Sequence, residues 1–363
     1  MFTSCGVADD APAGLKDYYE EAFMIGTALN ANQIYERDVK GAELTKIHFN
    51  AITPENASKW GPIHPQPGEY NFEPVDRFVE FGEENDMFMI GHTLVWHSQT
   101  PGWVFRDEDG NFLDRDALLE RMRDHIHTVA GRYRGRIQAW DVVNEALNMD
   151  GSMRETHWYN IIGKDYLVKA FEYAREADPD AELYYNDYSL ENPAKREGAI
   201  RLIRYLQENG APVTGIGTQG HWHLPDPSLA EIEKTITEFA ALGIDVMITE
   251  LDICVLPAAW EYSGADISMV AEMQEGLDPY TEGLPDDVQQ QLADRYRDIF
   301  EIFLRHRDKI SRVTFWGVTD GDSWKNNFPV RGRTNYPLLF DREWEPKPAY
   351  YSVVEVAEEI LGR

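Results

Sequence analysis

Residues 139–147 read Ala-Trp-Asp-Val-Val-Asn-Glu-Ala-Leu, an apolar run that ends in a carboxamide and a carboxylate, Asn144 and Glu145. The wider stretch 137–146 is rich in apolar and β-branched residues, which predicts a buried β-strand. A carboxylate directly after such a strand is either a solvated acid or a functional group. The ends of the other strands decide between these interpretations.

Seven further strand-like runs occur along the chain, and helical patterns separate them. They cover residues 22–30, 48–53, 87–96, 182–188, 215–222, 245–253 and 313–321. Amphipathic stretches such as 116–135 and 195–210 lie between them, and the second ends in Asn-Gly, a helix stop signal. Eight strands that alternate with helices predict an α/β fold, a single (β/α)8 TIM barrel.

A doubly wound open sheet is the alternative fold, but no GxGxxG or Walker pattern accompanies an early strand. We therefore expect residues 15–363 to form one catalytic barrel and residues 1–14 to form a flexible N-terminal segment. Residues 255–290 are expected to form an extended loop between strands seven and eight. In a barrel, such loops build the active face.

The chain of 363 residues has 34 basic and 64 acidic residues and a formal charge of −30. Such a surface repels nucleic acids and anionic membranes, whereas it is compatible with a neutral ligand. Two cysteines, Cys5 and Cys254, exclude a disulfide framework and a cysteine-based zinc site. No stretch approaches the ~20 apolar residues of a membrane span, and we expect a monomer.

The location in the cell has two interpretations. The sequence FTSCG resembles the end of a bacterial lipoprotein signal, with Cys5 as the lipidated residue, although the given sequence has no complete signal. An ordinary flexible N-terminus explains the same residues. We expect an extracellular or cell-surface protein, and a cytoplasmic location is the alternative.

Chemistry in a (β/α)8 barrel is located at the C-terminal ends of the strands, and polar or aromatic side chains are concentrated there. In chain order these candidates are Glu55, Asn56, Lys59, His92, Trp96, His97, Gln99, Asn144, Glu145, Asn186, Tyr188, Gln219, His221, His223, Glu250, Asp252, Trp316 and Trp324. Each residue alone has a structural explanation, which we favour for His97 and His223. The joint pattern, with acids on strands four and seven, favours a shared site.

Two carboxyl groups without a set of metal ligands suit the cleavage of a glycosidic bond. One must carry a proton for the leaving oxygen, and the other must be ionised to attack or stabilise the sugar cation. Aromatic rings stack on the C–H face of a pyranose, and amides and cations bind its hydroxyl groups. This chemistry requires neither a metal nor another cofactor.

The chain resembles the endo-β-1,4-xylanases of glycoside hydrolase family 10 from about residue 15 to residue 357. The matching segments are FMIGTALN, TPENASKWGPIHPQPGEYNFEPVD, GHTLVWHSQTPGW, WDVVNEAL, YYNDY, GIGTQGHW, ITELDI and FWGVTDGDSW. Any one motif, such as Asn-Glu, is shared with other retaining barrel glycosidases. Their order along one chain makes the resemblance specific.

The resemblance implies a role for each matching residue. Glu145 is the acid/base, Glu250 the nucleophile, and Asn144 binds the sugar 2-hydroxyl. His221 hydrogen-bonds the nucleophile, Asp252 supports His221, and Gln219 lies near the nucleophile. The glycone-side set is Glu55, Asn56, Lys59, His92, Trp96 and Gln99. Trp316 and Trp324 wall the cleavage subsite, and Tyr188 faces the aglycone side.

The implied reaction is the hydrolysis of internal xylosidic bonds of xylan by double displacement, with carboxyl groups about 5–5.5 Å apart. Since residues two apart on a strand share a face, Glu250 and Asp252 are expected on the same side. A cellulase or mixed-linkage glucanase on the same barrel is the nearest alternative. Metal-dependent hydrolysis through His221 and His223, and sugar binding without catalysis, are two further alternatives.

Overall fold

The computed structural model describes residues 13–257 and 276–362. Nine parallel β-strands lie in this part of the chain. They are β1 (Met24–Leu29), β2 (Ala51–Pro54), β3 (Phe88–Val95), β4 (Ala139–Asn144), β5 (Glu182–Asp187), β6 (Gly215–Thr218), β7 (His221–His223), β8 (Asp245–Cys254) and β9 (Ile310–Phe315).

Twelve α-helices accompany the strands in the described ranges. They are α1 (Leu15–Tyr18), α2 (Ala31–Ile34), α3 (Val39–His48), α4 (Trp60–Ile63), α5 (Glu73–Glu84), α6 (Arg115–Arg132), α7 (His157–Ile162), α8 (Tyr166–Ala177), α9 (Pro193–Glu208), α10 (Leu229–Ala240), α11 (Asp286–Arg305) and α12 (Pro348–Leu361). Two short 3₁₀ helices cover Gly102–Phe105 and Trp324–Asn326.

The sheet closes on itself. Strand β1 pairs with both β2 and β9, and β6 pairs with both β5 and β8, so that eight strands form a ring. Strand β7 continues the line of β6 and pairs with β8, where His221 lies opposite Asp252. Closure of the ring confirms the (β/α)8 barrel and excludes the doubly wound open sheet.

The strands are buried on both faces, as parallel strands covered by helices must be. All six residues of β4 are buried, which explains why residues 139–144 read as an almost continuous apolar run. Helix α5 packs Val75, Phe78 and Val79 into the layer between helices and sheet. This packing fixes each strand, and therefore fixes the side chains that follow its C-terminal end.

The predicted strands are confirmed in number and order, with corrected bounds. The second strand covers Ala51–Pro54 rather than 48–53, because helix α3 extends to His48. The last strand covers Ile310–Phe315 rather than 313–321, so that Trp316 lies just beyond it. The sixth is divided into β6 and β7 at Gly220, whose φ of 83° suits a glycine.

Parts of three predictions lie outside the described residues. The extended loop predicted at 255–290 includes residues 258–275, which are not described, and helix α11 already begins at Asp286. Cys5 and most of the N-terminal segment 1–14 also lie outside, whereas Cys254 is a buried free cysteine. Within the described ranges, no helix has the length and apolar character needed to cross a membrane.

Candidate active site

The carboxylate of Glu250 lies in the middle of the barrel mouth, on strand β8, and is 5% exposed. Asn186 Nδ2 donates a hydrogen bond of 2.8 Å to its Oε1 atom. His221 Nε2 contacts its Oε2 atom at 3.0 Å. Each carboxylate oxygen therefore has one side-chain partner, and the carboxylate is held in a single orientation.

The surroundings of Glu250 favour its ionised form. Burial raises its pKa, but the hydrogen bond from His221 and the positive potential of His92, His221 and Lys59 more than reverse this effect. The net pKa of Glu250 is therefore lower than that of an ordinary glutamate. An ionised, oriented carboxylate at this position is suited to nucleophilic attack.

His221 is enclosed by two carboxylates. Its Nδ1 atom lies 3.0 Å from Asp252 Oδ1, in a close ion pair rather than a well-directed hydrogen bond. Burial lowers the pKa of His221, but Asp252 and Glu250 together raise it to about 9. His221 is therefore protonated near neutral pH and donates from Nε2 to Glu250.

Asp252 is itself fixed by cations and an indole. Trp324 Nε1 donates to Asp252 Oδ2 at 2.9 Å, and Lys325 Nζ lies 3.3 Å from Oδ1. Burial raises the pKa of Asp252, but His221 and Lys325 bring it below the ordinary value. The expected support of His221 by Asp252 is thus present in the structure.

Glu145 has a different environment. It directly follows β4 and has a φ of 58°, a left-handed backbone conformation that is uncommon for a glutamate. Its side chain accepts from Trp96 Nε1 at 2.9 Å, from Gln219 Nε2 at 3.0 Å and from Asn144 Nδ2 at 3.3 Å. All three neighbouring donors are neutral amide or indole groups.

A chain of amides connects the two carboxyl groups. Asn186 Nδ2 donates both to Glu250 and, at 3.1 Å, to Asn144 Oδ1. Gln219 Nε2 donates to Glu145 and, at 3.4 Å, to the same Asn144 oxygen. The two acids therefore face one site and are oriented by shared neighbours.

The glycone-side candidates follow β2 and β3. Lys59 is buried, its Nζ donates to Asn56 Oδ1 at 3.1 Å, and it lies 5.1 Å from the centre of the Trp96 ring. Burial lowers the pKa of Lys59, while Glu250, Glu55 and Glu145 oppose this effect. Burial raises the pKa of Glu55, although Lys59 opposes it. The Lys59 ammonium therefore lies near three carboxyl groups, those of Glu55, Glu145 and Glu250.

The remaining aromatic and amide candidates surround this group. The imidazole of His92 lies 5.3 Å from the Trp316 ring, and the His221 ring lies 4.9 Å from the Trp324 ring. The backbone carbonyl of Gln99 accepts from Gly61, which connects the loop after β3 to helix α4. Tyr188 is partly exposed, next to the loop that follows Glu145.

Two contacts add detail to these placements. The side chain of Gln219 donates to Glu145, and its backbone carbonyl accepts from the Glu250 N–H at 2.7 Å, so that Gln219 lies next to the predicted nucleophile. Trp96 donates to Glu145, so it contacts the acid in addition to walling the predicted glycone side.

Sequence reasoning gave the candidate Asn186 no role and left Asp141 out of the site. Asn186 binds both Glu250 and Asn144, and its position at the end of the fifth predicted strand was the available signal. Asp141 accepts from His92 Nδ1 at 2.8 Å, inside the barrel. A charged residue inside the buried run Trp-Asp-Val-Val was the signal in that case.

The histidines needed for a metal alternative have other partners. Both ring nitrogens of His221 lie against carboxylates. Burial lowers the pKa of His223 to about 4 and that of His97 below its ordinary value. Within residues 13–257 and 276–362, no three His, Cys, Asp or Glu side chains are grouped as a metal site requires.

Known proteins are similar to this chain in sequence and in architecture. Residues 14–356 match the sequence profile of Glycosyl hydrolase family 10. The chain belongs to glycosyl hydrolase family 10. An endo-1,4-beta-xylanase A of Xylanibacter ruminicola is 42% identical over 97% of this chain and 95% of its own length. A beta-1,4-xylanase of Dictyoglomus thermophilum is 42% identical over 94% of this chain and 90% of its own length.

Solved structures extend the likeness to three dimensions. A GH10 endoxylanase from a sugarcane soil metagenome has a TM-score of 0.89 and 48% identity, covering 95% of this chain and 99% of its own. A mutant solved in complex with xylotriose has a TM-score of 0.85 and 36% identity, covering 94% and 99%. The protein is therefore a glycoside hydrolase, and the roles of individual residues stay predictions.

Proposed function

We propose that the protein is a retaining endo-β-1,4-xylanase that hydrolyses internal xylosidic bonds of xylan and xylo-oligosaccharides. The observation that carries the proposal is the pairing of two unlike acids in one barrel mouth. Cationic neighbours lower the pKa of Glu250, whereas the carboxyl group of Glu145 accepts hydrogen bonds from neutral indole and amide groups. The xylanase names of full-length relatives support xylan as the substrate class.

In the first step, a carboxylate oxygen of Glu250 attacks the anomeric carbon while Glu145 gives its proton to the glycosidic oxygen. The bond between the anomeric carbon and this oxygen breaks, and the aglycone leaves as an alcohol. His221 and Asn186 hold the attacking carboxylate, so that little reorganisation accompanies attack.

In the second step, Glu145 accepts a proton from water, and the water oxygen attacks the same carbon. The bond to Glu250 breaks, which restores both carboxyl groups and retains the anomeric configuration. In this scheme Asn144, which lies between the amides of Asn186 and Gln219, binds the sugar 2-hydroxyl.

The neighbouring side chains suit an uncharged sugar. Lys59 and Asn56 form one polar pair, and Trp316 and Trp324 supply aromatic faces. Xylose lacks the hydroxymethyl group of glucose, so a wall formed by Trp316 and Trp324 favours xylan over β-1,4-glucan. No step of the reaction needs a cofactor.

A direct test combines product analysis with stereochemistry. The purified protein is incubated with glucuronoxylan, arabinoxylan, xylohexaose and carboxymethylcellulose, and the anomeric protons of new ends are followed by NMR. We expect short xylo-oligosaccharides, an initial β-anomer and little release from carboxymethylcellulose. An initial α-anomer contradicts the retaining mechanism, and faster release from carboxymethylcellulose identifies a cellulase instead.

We also propose that the enzyme acts as a monomer outside the cell or at its surface, because polymeric xylan is too large to enter intact. Size-exclusion chromatography with light scattering measures the first property; a stable dimer contradicts it. Fractionation of cells that express the natural gene measures the second, and activity confined to the cytoplasm indicates an enzyme for imported oligosaccharides.

A further inference from the structure

The loop that follows Glu145 is a tight hairpin. Leu147 and Met153 form an antiparallel bridge, and Asn148 N–H donates to the carbonyl of Ser152 at 2.9 Å. The backbone N–H of Arg154 donates to the Ala146 carbonyl at 2.8 Å. Arg154 therefore lies on the returning strand of the hairpin, opposite the residue that follows Glu145.

The guanidinium of Arg154 connects this hairpin to the cleft. Its Nε donates to the backbone carbonyl of Glu145 at 3.1 Å, and its Nη2 donates to the carbonyl of Leu147 at 3.2 Å. The same Nη2 donates to the hydroxyl oxygen of Tyr188 at 2.8 Å. A planar fork of donors suits three acceptors in fixed positions, which a lysine ammonium does not match.

The backbone of Glu145 needs such support. Its left-handed conformation is disfavoured for residues with a side chain, and it persists only where the surroundings impose it. Its N–H donates to the Asn186 carbonyl at 2.9 Å, and Arg154 holds its carbonyl. The N–H of the next residue, Ala146, donates to the Tyr185 hydroxyl at 3.2 Å.

Tyr188 is held from two sides. Its oxygen accepts from Arg154, so its own hydroxyl hydrogen is directed away from Arg154. The Lys195 ammonium lies 3.4 Å from its ring centre, and the same ammonium forms a buried ion pair of 2.7 Å with Asp187. One guanidinium thus fixes both the backbone of the proposed acid and a side chain of the proposed aglycone side.

We propose that Arg154 is a positioning residue for acid catalysis: it imposes the backbone conformation that aims Glu145 at the leaving oxygen and aligns Tyr188 beside the leaving group. Arg154 acts through these two residues and makes no contact with the reacting atoms in this scheme. The inference rests on the proposed function, in which Glu145 is the proton donor.

The distinguishing measurement is the dependence of the rate on the leaving group. A dinitrophenyl β-xylobioside has a leaving group that departs without protonation, whereas a phenyl β-xylobioside needs the acid. Arg154→Met is expected to lower kcat/KM for the phenyl substrate at least about tenfold, a part of the usual 10²–10⁴-fold contribution of a general acid. For the dinitrophenyl substrate we expect less than about a threefold loss.

Arg154→Lys separates geometry from charge. It keeps a cation but does not reproduce three bonds from one planar fork, so we expect it to show the same selective loss. Wild-type behaviour of Arg154→Lys, or equal losses on both substrates in Arg154→Met, overturns the proposal. If Arg154→Met does not fold, the lysine variant alone decides by the same criterion.

Arg175 supplies a matched control. Its Nη1 also binds backbone carbonyls, those of Pro179 at 2.6 Å and Ala181 at 2.8 Å, but just before β5 at the opposite end of the barrel. Arg175→Met should change neither substrate's kcat/KM by more than about twofold once folding is verified by thermal denaturation. A leaving-group effect in Arg175→Met would show that general loosening of the barrel causes it, which contradicts the proposal.

Glu145→Ala separates this inference from the proposed function. If Glu145→Ala shows the selective loss and Arg154→Met does not, the role of Arg154 is wrong and the proposed function stands. If Glu145→Ala loses activity equally on both substrates, the assignment of the acid is itself wrong. If the wild-type protein hydrolyses neither xylobioside, the proposed function fails first.

Discussion

The two carboxyl groups of the site are held by opposite means. Glu250 lies within strand β8 and is oriented by His221 and Asn186, and buried cations lower its pKa. Glu145 lies just beyond a strand, in a left-handed conformation, among neutral donors. The proposed nucleophile therefore depends on charge, and the proposed acid depends on backbone geometry.

This difference predicts how substitutions in each half of the site should change the activity. A change near Glu250 should alter the pH dependence, because it changes an electrostatic balance. A change near Glu145 should alter the dependence on the leaving group, because it changes where a proton is delivered. The predictions below test this division from the largest expected effect to the smallest.

Removal of the proposed nucleophile should have the largest effect. Glu250→Ala is expected to lower kcat on xylan by about 10⁴-fold or more, because it removes the carboxylate that forms the covalent intermediate in the proposed reaction. Thermal denaturation should show a folded protein. Activity within about tenfold of wild type on xylan would contradict the assignment of Glu250.

Removal of the proposed acid should produce a selective effect. Glu145→Ala is expected to lower kcat/KM on xylan by about 10²–10⁴-fold, with a much smaller loss on a dinitrophenyl xylobioside. Added azide should raise its kcat and yield a β-glycosyl azide, since the covalent intermediate then waits for a nucleophile that needs no base. An α-azide, or no azide product, would contradict the roles given to Glu145 and Glu250.

The sequence was sufficient for the fold and for the choice of Glu145 and Glu250 as the candidate acids. Eight strand-like runs predicted the barrel, because strands buried on both faces are uniformly apolar. The acids were recognisable because each carboxylate follows or interrupts such a run, as in Val-Val-Asn-Glu and Ile-Thr-Glu-Leu-Asp. Local composition thus drew attention to carboxylates at the end of or inside apolar strands, where an ionised group costs free energy.

The connections between these residues were not predictable. Asn186 binds Glu250 from 64 residues away, and Arg154 reaches the Glu145 carbonyl through a hairpin. The Asp150-Gly151 turn of this hairpin is recognisable in the sequence, but the side-chain contacts of Arg154 are not. The left-handed conformation of Glu145 was likewise not predictable from the sequence, because the residue is not a glycine. Side-chain partners across a barrel depend on register and rotamer, which local sequence does not specify.

Loss of the charge beside Glu250 should change the pH profile. His221→Ala removes a hydrogen bond and a positive charge, both of which lower the pKa of Glu250. We expect kcat/KM to fall by about 10–100-fold and the acidic limb of its pH profile to move to higher pH, because Glu250 then ionises at higher pH. An unchanged acidic limb would show that Glu250 does not control it.

A control for this variant is His127→Ala. His127 forms an exposed ion pair with Glu176, at 3.1 Å, on the outer helices. Its loss removes a histidine and a carboxylate contact without touching the barrel mouth. The pH profile of His127→Ala should coincide with that of the wild type.

The smallest effect expected here is on stability. The pKa of His221 is raised to about 9 in the folded protein, above its ordinary value of 6.5. Its protonation therefore stabilises the fold fully below about pH 6.5, and this stabilisation is lost as the pH rises through about 9. Urea unfolding of wild type and His221→Gln at a series of pH values measures the difference in free energy of unfolding.

We expect the free energy of unfolding of the wild type to fall relative to that of His221→Gln between about pH 6.5 and 9. The expected fall is at most about 3 kcal/mol, since one pKa unit is worth about 1.4 kcal/mol. A constant difference across this range would mean that His221 is not the protonated partner of Glu250 and Asp252. The lowered pKa of Glu250 would then need another source, and the Lys59 ammonium is the remaining lysine that lowers it. Glu250 would still depend on charge and Glu145 on backbone geometry. The positive potential that lowers the pKa of Glu250 would then come from the glycone side of the site.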